Sequence, residues 1–230
     1  DITVAPLMLA TGLHDPEGPR GADEIEHARS RVGMRHVQLD PEAKTIRFTR
    51  PGVALDLGAV AKGFAIDLAI DLLKEHGISC ALLHGGTSTA AAIGSPPKQD
   101  GWRIRLQTNA VTSSHQEAAA DTVTLKDAAF SVSAPTGRMV ESQGETLGHV
   151  MDPRTGRSAM ANRFAAAIGP SACMADAWST ALLVLGDRPT TMPDDMRAIL
   201  PGDSPNRCTA TRTDHSTHPA AEPTARPTSM

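Results

Sequence analysis

Asp56-Leu57-Gly58-Ala59-Val60-Ala61-Lys62-Gly63 joins a run that reads as a strand, Val53 to Leu57, to a run that reads as a helix. The rest of the chain is organised around this junction. Gly58 and Gly63 let the backbone approach a neighbour closely or take a positive φ. A helix starting near Ala59 turns free N–H groups and a partial positive charge toward whatever lies in front of it, which suits an anion. Asp56 and Lys62 would flank that anion. The plainer alternative is a strand-to-helix turn with Asp56 as its cap. Beyond the turn, Val60, Phe64, Leu68 and Leu72 recur every fourth residue, with Ala61, Ala65, Ala69 and Leu73 alongside, and Gly77 stands where a C-terminal cap belongs. The spacing predicts an amphipathic helix for which this stripe is the packing side.

Upstream, Asp1 to Leu9 is apolar with β-branched residues and Pro6, which predicts a short strand or extended entry at a sheet edge. Leu13 to Arg20 reads as a loop. Ile25, Ala28 and Val32 among charged residues predict a short helix over Ala22 to Val32, ended by Gly33. Two short strands follow, His36 to Leu39 and Thr45 to Phe48, around a turn at Pro41.

Downstream, strands are expected at Cys80 to Leu83, Thr89 to Ile93, Arg103 to Leu106, twice within Val123 to Ala134, before the turn at Asp152-Pro153, and at Phe164 to Ile168. Ser171 to Leu185 is an Ala/Leu-rich helix closed by Gly186. From Pro201 onward a Pro/Thr/Ser/Ala mixture has no periodicity. It is expected to be disordered, outside a domain spanning residues 1–200.

The composition is that of an ordinary globular protein, with 40% hydrophobic and 21% charged residues. A net charge of −4, 3% aromatics and no tyrosine leave neither a phosphate-neutralising stripe nor stacking platforms, which disfavours nucleic acid as a partner. Cys80, Cys173 and Cys208 lack metal-type spacing and are odd in number, so a disulfide framework is not expected. No apolar run reaches the roughly 18 residues of a membrane span.

In the second long helix Asp176 and Thr180 are four apart and share a face, with Ala177, Ala181 and Val184 on an opposite, packing side. A carboxylate and a hydroxyl at that spacing can reach one hard cation such as Mg²⁺, which favours oxygen ligands and keeps positions for water and phosphate. A solvated Asp with a Thr bonded back to its own helix is the plainer alternative. His149 stands before the Asp-Pro turn, where a neutral imidazole could take a proton from an attacking hydroxyl. Asp152 reads as a turn cap and Arg154 as a solvated cation.

Five blocks in order and spacing then form a pattern: Asp1-Ile2-Thr3-Val4-Ala5-Pro6-Leu7, Asp56-Leu57-Gly58-Ala59-Val60-Ala61-Lys62-Gly63, Gly85-Gly86, Gly148-His149-Val150-Met151-Asp152-Pro153-Arg154-Thr155-Gly156 and Ala175-Asp176-Ala177-Trp178-Ser179-Thr180-Ala181. Together they resemble the ApbE family of FAD:protein FMN transferases, from Asp1 to about Gly186. The resemblance implies an α+β fold, T-fold-like, with mixed or antiparallel sheets and packed helices, here lacking the family's N-terminal segment. It also implies Mg²⁺-dependent transfer of FMN from FAD to a Thr or Ser hydroxyl of a partner flavoprotein, with AMP as leaving group. Carried over by position, Asp1, Asp56 and Lys62 look like FAD contacts, the Ala59 carbonyl with Asp176 and Thr180 looks like the Mg²⁺ site, and His149 looks like the catalytic base.

Three features depart from the pattern. Ser131-Val132-Ser133-Ala134 stands where the family has Ala-Thr-Ser-Gly, Thr87 stands where an Asp or Asn is usual, and the family's segment before the Asp1 block, which helps hold the adenine, is expected to be lacking. Hydrolysis of FAD to FMN and AMP, or FAD binding without turnover, are therefore the competing expectations. Relatives are often exported or lipid-anchored, and membrane association here would run only through that missing segment.

Overall fold

The structure, a computed structural model, describes residues 1–13, 21–106, 122–135, 139–142, 145–159, 164–203 and 209–211. Four α-helices are present among them: α1 (Ala5–Ala10), α2 (Ala22–Arg29), α3 (Ala61–Glu75) and α4 (Ala172–Leu185). The strands are β1 (Val37–Asp40), β2 (Thr45–Phe48), β3 (Ala81–Gly85), β4 (Thr89–Ile93), β5 (Trp102–Arg105), β6 (Thr122–Lys126), β7 (Ala129–Ser133), β8 (Met139–Ser142), β9 (Glu145–Gly148), β10 (Met151–Asp152), β11 (Arg157–Ser158), β12 (Ala165–Gly169), β13 (Arg197–Ile199) and β14 (Thr209–Thr211). The α+β class expected from the resemblance is the class found. No described helix is long and apolar enough to cross a membrane.

A five-stranded antiparallel sheet in the order β13-β12-β7-β4-β3 is the centre of the molecule. Side chains alternate across it with period two. Ala92, Phe130, Ala166, Ile168 and Ile199 point to one face, where they pack with Val123 and Leu125 of the β14-β6-β5 sheet. Ala91, Ile93, Ala129, Ala165 and Ala167 point to the other face, under Ile66 and Ile70 of α3 and Ala172, Ala175, Leu182 and Leu183 of α4. The small alanines on that face let both helices lie close to the sheet. A satellite core of Leu7, Ala10, Ala28 and Val32 joins α1 to α2.

The start of the chain is helical rather than an edge strand. Asp1 caps a 3₁₀ turn at Ile2–Val4 by accepting hydrogen bonds from the N–H (2.9 Å) and hydroxyl (2.7 Å) of Thr3, and Pro6 sits in the first turn of α1. Pro suits a helix start as well as a sheet edge, and the Asp cap decides between them. Val53 to Leu57 is also not a strand: it joins none of the sheets, and the Asp56 N–H donates to the Ile2 carbonyl at 2.7 Å.

Helix α3 forms as expected, but it docks by a different face. Phe64, Leu68 and Leu72 are 57%, 56% and 54% exposed, while Gly63, Ile66 and Ile70 are buried. On α4, likewise, the buried side carries Asp176 with Ala172, Ala175, Ser179, Leu182 and Leu183, whereas Ala177, Ala181 and Val184 are half-buried. The hairpin β8–β9 adds two antiparallel strands that the sequence pattern does not predict. Residues 14–20 of the expected loop lie outside the described residues, as do 204–208 and 212–230 of the expected disordered tail, in which Thr209–Thr211 pair in parallel with β6.

Candidate functional site

Two helix starts and one corner of the sheet converge on Asp176. Ser171 caps α4 by accepting from the Met174 N–H at 3.2 Å, and Gly186 closes the helix in the left-handed conformation at φ 80°. Asp176 thus lies one turn into a well-terminated helix. On α3, Lys62 and Gly63 follow the Gly58–Val60 turn directly. Gly63 is required by the approach of the two helices, because a Cβ there would overlap the Ala172 carbonyl and lie 2.6 Å from the Cys173 Cα.

The Asp176 side chain is enclosed, the residue being only 3% exposed, and it is richly bonded. Its Oδ1 accepts from Lys62 Nζ at 2.5 Å, Ser131 Oγ at 3.0 Å and Thr89 Oγ1 at 3.2 Å, and its Oδ2 accepts from the Gly63 N–H at 3.1 Å. Gly63 is the third residue of α3, where the N–H has no intrahelical carbonyl to reach, and the carboxylate satisfies it instead. Thr89 and Ser131 are direct cross-strand partners, and their hydroxyls lie 2.8 Å apart. The alternation that turns Ala129 toward the helices turns Ser131 and Ser133 the same way. Ser133 Oγ meets Ser179 Oγ at 2.8 Å and Thr180 Oγ1 at 3.1 Å, so a continuous hydroxyl floor runs from Asp176 to Thr180. Thr180 Oγ1 also donates to the Asp176 carbonyl at 3.3 Å, the back-bond expected of a helical Thr.

Lys62, Asp176 and Thr180 are therefore brought together, with Ala59 just ahead of α3. Asp1 and Asp56 form a second group, linked through Ile2 next to α1. The Asp56 carboxylate accepts from the Gly58 N–H at 2.8 Å and shapes the turn that leads into Ala59. His149 lies between β9 and β10. Its ring is half-buried, its Nδ1 is enclosed without a hydrogen-bond partner among the described residues, and burial pulls its pKa below the usual imidazole value. Asp152 caps the turn as expected, accepting from the Arg154 N–H at 2.9 Å. Arg154 is more than a solvated cation: it forks onto Asp152 and reaches the Val184 carbonyl at the end of α4. That side-chain hydrogen bond holds the Asp152 carboxyl below the ordinary carboxylate range.

Sequence reasoning missed Thr89, Ser131, Ser133 and Ser179. The one available signal was the Ser131-Val132-Ser133 alternation following Ala129, which puts hydroxyls in phase with small residues. Among the described residues no three His, Cys, Asp or Glu side chains gather as a metal-binding group, so a cation at this place would have one carboxylate with hydroxyl oxygens around it. That donor chemistry, all hard oxygen, fits a cation completed by water or phosphate. The cationic position at Asp176 Oδ1 is held here by the Lys62 ammonium.

A model of the ApbE family matches residues 1–194. The FAD:protein FMN transferase of Salmonella typhimurium is 29% identical over 192 residues, covering 81% of this chain and 54% of its own length. Among solved structures, the ApbE protein of Thermotoga maritima superposes with a TM-score of 0.69 at 27% identity, over 81% of this chain and 59% of that one. The apo form of the flavinyl transferase ApbE of Pseudomonas stutzeri gives 0.66 at 28% identity, over 80% and 56%. The chain thus spans about half the length of the curated relatives it matches.

Proposed function

Because the chain belongs to the ApbE family, we propose that it carries the reaction centre of an FAD:protein FMN transferase, passing FMN from FAD to a Thr or Ser hydroxyl of a partner flavoprotein and releasing AMP. The observation that carries this reading is Asp176, a buried carboxylate held between two helix starts by a cationic side chain, since charges enclosed at such cost cluster at functional sites. The names of the relatives support FAD as donor and a protein as acceptor.

In the reaction the acceptor oxygen forms a new bond to the phosphorus of the FMN half. The bridging P–O bond to AMP breaks, and AMP keeps the electron pair of that bond. Catalysis of this kind rests on positioning and charge stabilisation more than on covalent chemistry. Lys62, whose side chain is 33% exposed, can turn from Asp176 toward the diphosphate oxygens and offset their charge. Asp1 and Asp56, beside the turn that leads into α3, would contact FAD. His149 would take the acceptor proton, and the lowering of its pKa by burial keeps the imidazole neutral, the form that can accept one. Asp176, Thr180 and the Ala59 carbonyl would hold Mg²⁺, which when bound neutralises charge on the diphosphate as the bond to AMP breaks.

AMP release from FAD, measured with and without a flavoprotein acceptor in the presence of Mg²⁺, tests the proposal. Release that requires the acceptor is the transferase result. Equal release in both cases identifies a pyrophosphatase, and retained FAD without release identifies a binding module.

A further inference from the structure

We propose that Asp67 is a positioning residue for this site, holding the start of α4 against α3 and so fixing where Asp176 stands relative to Lys62 and Gly63. Its carboxylate accepts three hydrogen bonds from the other helix: from Ser171 Oγ at 2.7 Å, from the Ala172 N–H at 2.7 Å and from the Cys173 N–H at 2.9 Å. Ser171 Oγ in turn accepts from the Met174 N–H. The first three N–H groups of α4, which no intrahelical carbonyl can reach, are therefore all satisfied, two of them by a side chain 105 and 106 residues away in sequence. Ser171 by itself would cover only one.

The geometry makes this more than a cap. Gly63 and Asp67 are four apart on α3 and share a face. Gly63 lies against Ala172 and Cys173 by having no side chain, and Asp67 reaches the same two residues by hydrogen bonds. One turn further along α4, Asp176 accepts from the Gly63 N–H and from Lys62. The helices are joined at two points one turn apart, so α4 can neither slide nor rotate on α3 without breaking one of them. Bonds to an ionised carboxylate at a helix N-terminus are among the stronger ones available, and they also complement the helix dipole.

The consequence for catalysis rests on the transferase reading, but the positioning itself can be observed without flavin, metal or acceptor. In metal-free protein the Gly63 amide reports the bond to Asp176 through its proton shift and its hydrogen-exchange rate, with the Ile70 amide on the same helix as reference for overall stability. Asp67→Ala is expected to move the Gly63 proton shift and to speed its exchange relative to Ile70 by about tenfold or more. Asp67→Asn keeps one acceptor oxygen and should fall between Asp67→Ala and wild type; it also serves if the alanine variant fails to fold. A lower melting temperature with the Gly63 shift and relative exchange unchanged in either variant would reduce Asp67 to an ordinary cap and overturn the proposal. That outcome leaves the flavin chemistry standing, and a failure of FMN transfer leaves the Gly63 result standing.

Discussion

Lys62 Nζ stands 2.5 Å from Asp176 Oδ1, joining the starts of two helices across 114 residues of sequence. The pair allows a charged carboxylate to sit against a sheet face that otherwise carries small apolar side chains, hydroxyls and Ile93. Replacing Lys62 by Met leaves Asp176 with three neutral donors and no countercharge. Because the lysine is partly solvated, the cost is set below that of a fully buried pair, at about 1–3 kcal/mol. Urea denaturation of Lys62→Met, Asp176→Asn and the double variant should give a coupling of about 1 kcal/mol or more. Strict additivity would mean that the two groups touch without depending on each other.

Gly63→Ala separates helix propensity from packing. Propensity alone favours Ala in a helix by about 1 kcal/mol. The contact with α4 opposes it, since the new Cβ would run into the Ala172 carbonyl, which is backbone and cannot swing aside. Overpacking of this kind costs about 1–3 kcal/mol or more, so thermal melting should show a lower Tm. A raised Tm would mean that α3 and α4 are further apart than described.

The two faces of α3 should respond oppositely to substitution. Leu68→Gln on the exposed face is expected to change stability by no more than about 0.5 kcal/mol. Ile70→Ala on the buried face should cost about 2–4 kcal/mol. Equal losses in urea titrations would contradict the docking of α3 by Ile66 and Ile70.

His149 ties pH to both stability and rate. Burial places its folded pKa below the unfolded value of about 6.5. Between those two values the unfolded chain binds the extra proton, so stability is full above about pH 6.5 and falls as pH drops through the folded value. In His149→Gln this share of the acid sensitivity should disappear. If the imidazole is the base, kcat/KM of wild type should hold at pH values somewhat below 6.5 before declining, and the variant should lose about 10²–10⁴ in rate. A profile whose acid limb survives unchanged in His149→Gln would assign the proton transfer elsewhere.

Much of this site was legible in the sequence, and the missing part has a physical explanation. Ser171, Gly186 and Gly77 mark helix ends because caps are local, and Thr89 to Ile93 is legible because a short apolar run between glycine turns is local too. Lys62, Asp176 and Thr180 stood out by residue type and spacing. What spacing could not reveal is pairing. Thr89 and Ser131 meet only through the register of β4 and β7, and Asp67 meets Ser171 only because two helices cross. The apolar stripe through Phe64, Leu68 and Leu72 misled because α3 has apolar residues on more than one side, and close approach at Gly63 chooses the face that docks. Pro6 pointed to a sheet edge, yet proline is equally at home in the first turn of a helix, and the Asp1 cap places it there.

The most direct test of the central claim is the intact mass of a Thr- or Ser-bearing flavoprotein domain after incubation with FAD, Mg²⁺ and either wild-type chain or Asp176→Asn. Wild type is expected to add one FMN to the domain, and the asparagine variant, folded at the assay temperature, to do so at least about a hundredfold more slowly, the scale set by losing one electrostatic stabiliser of the transition state. An unmodified domain with wild type, or equal labelling by both proteins, would contradict the placement of flavin transfer at Asp176.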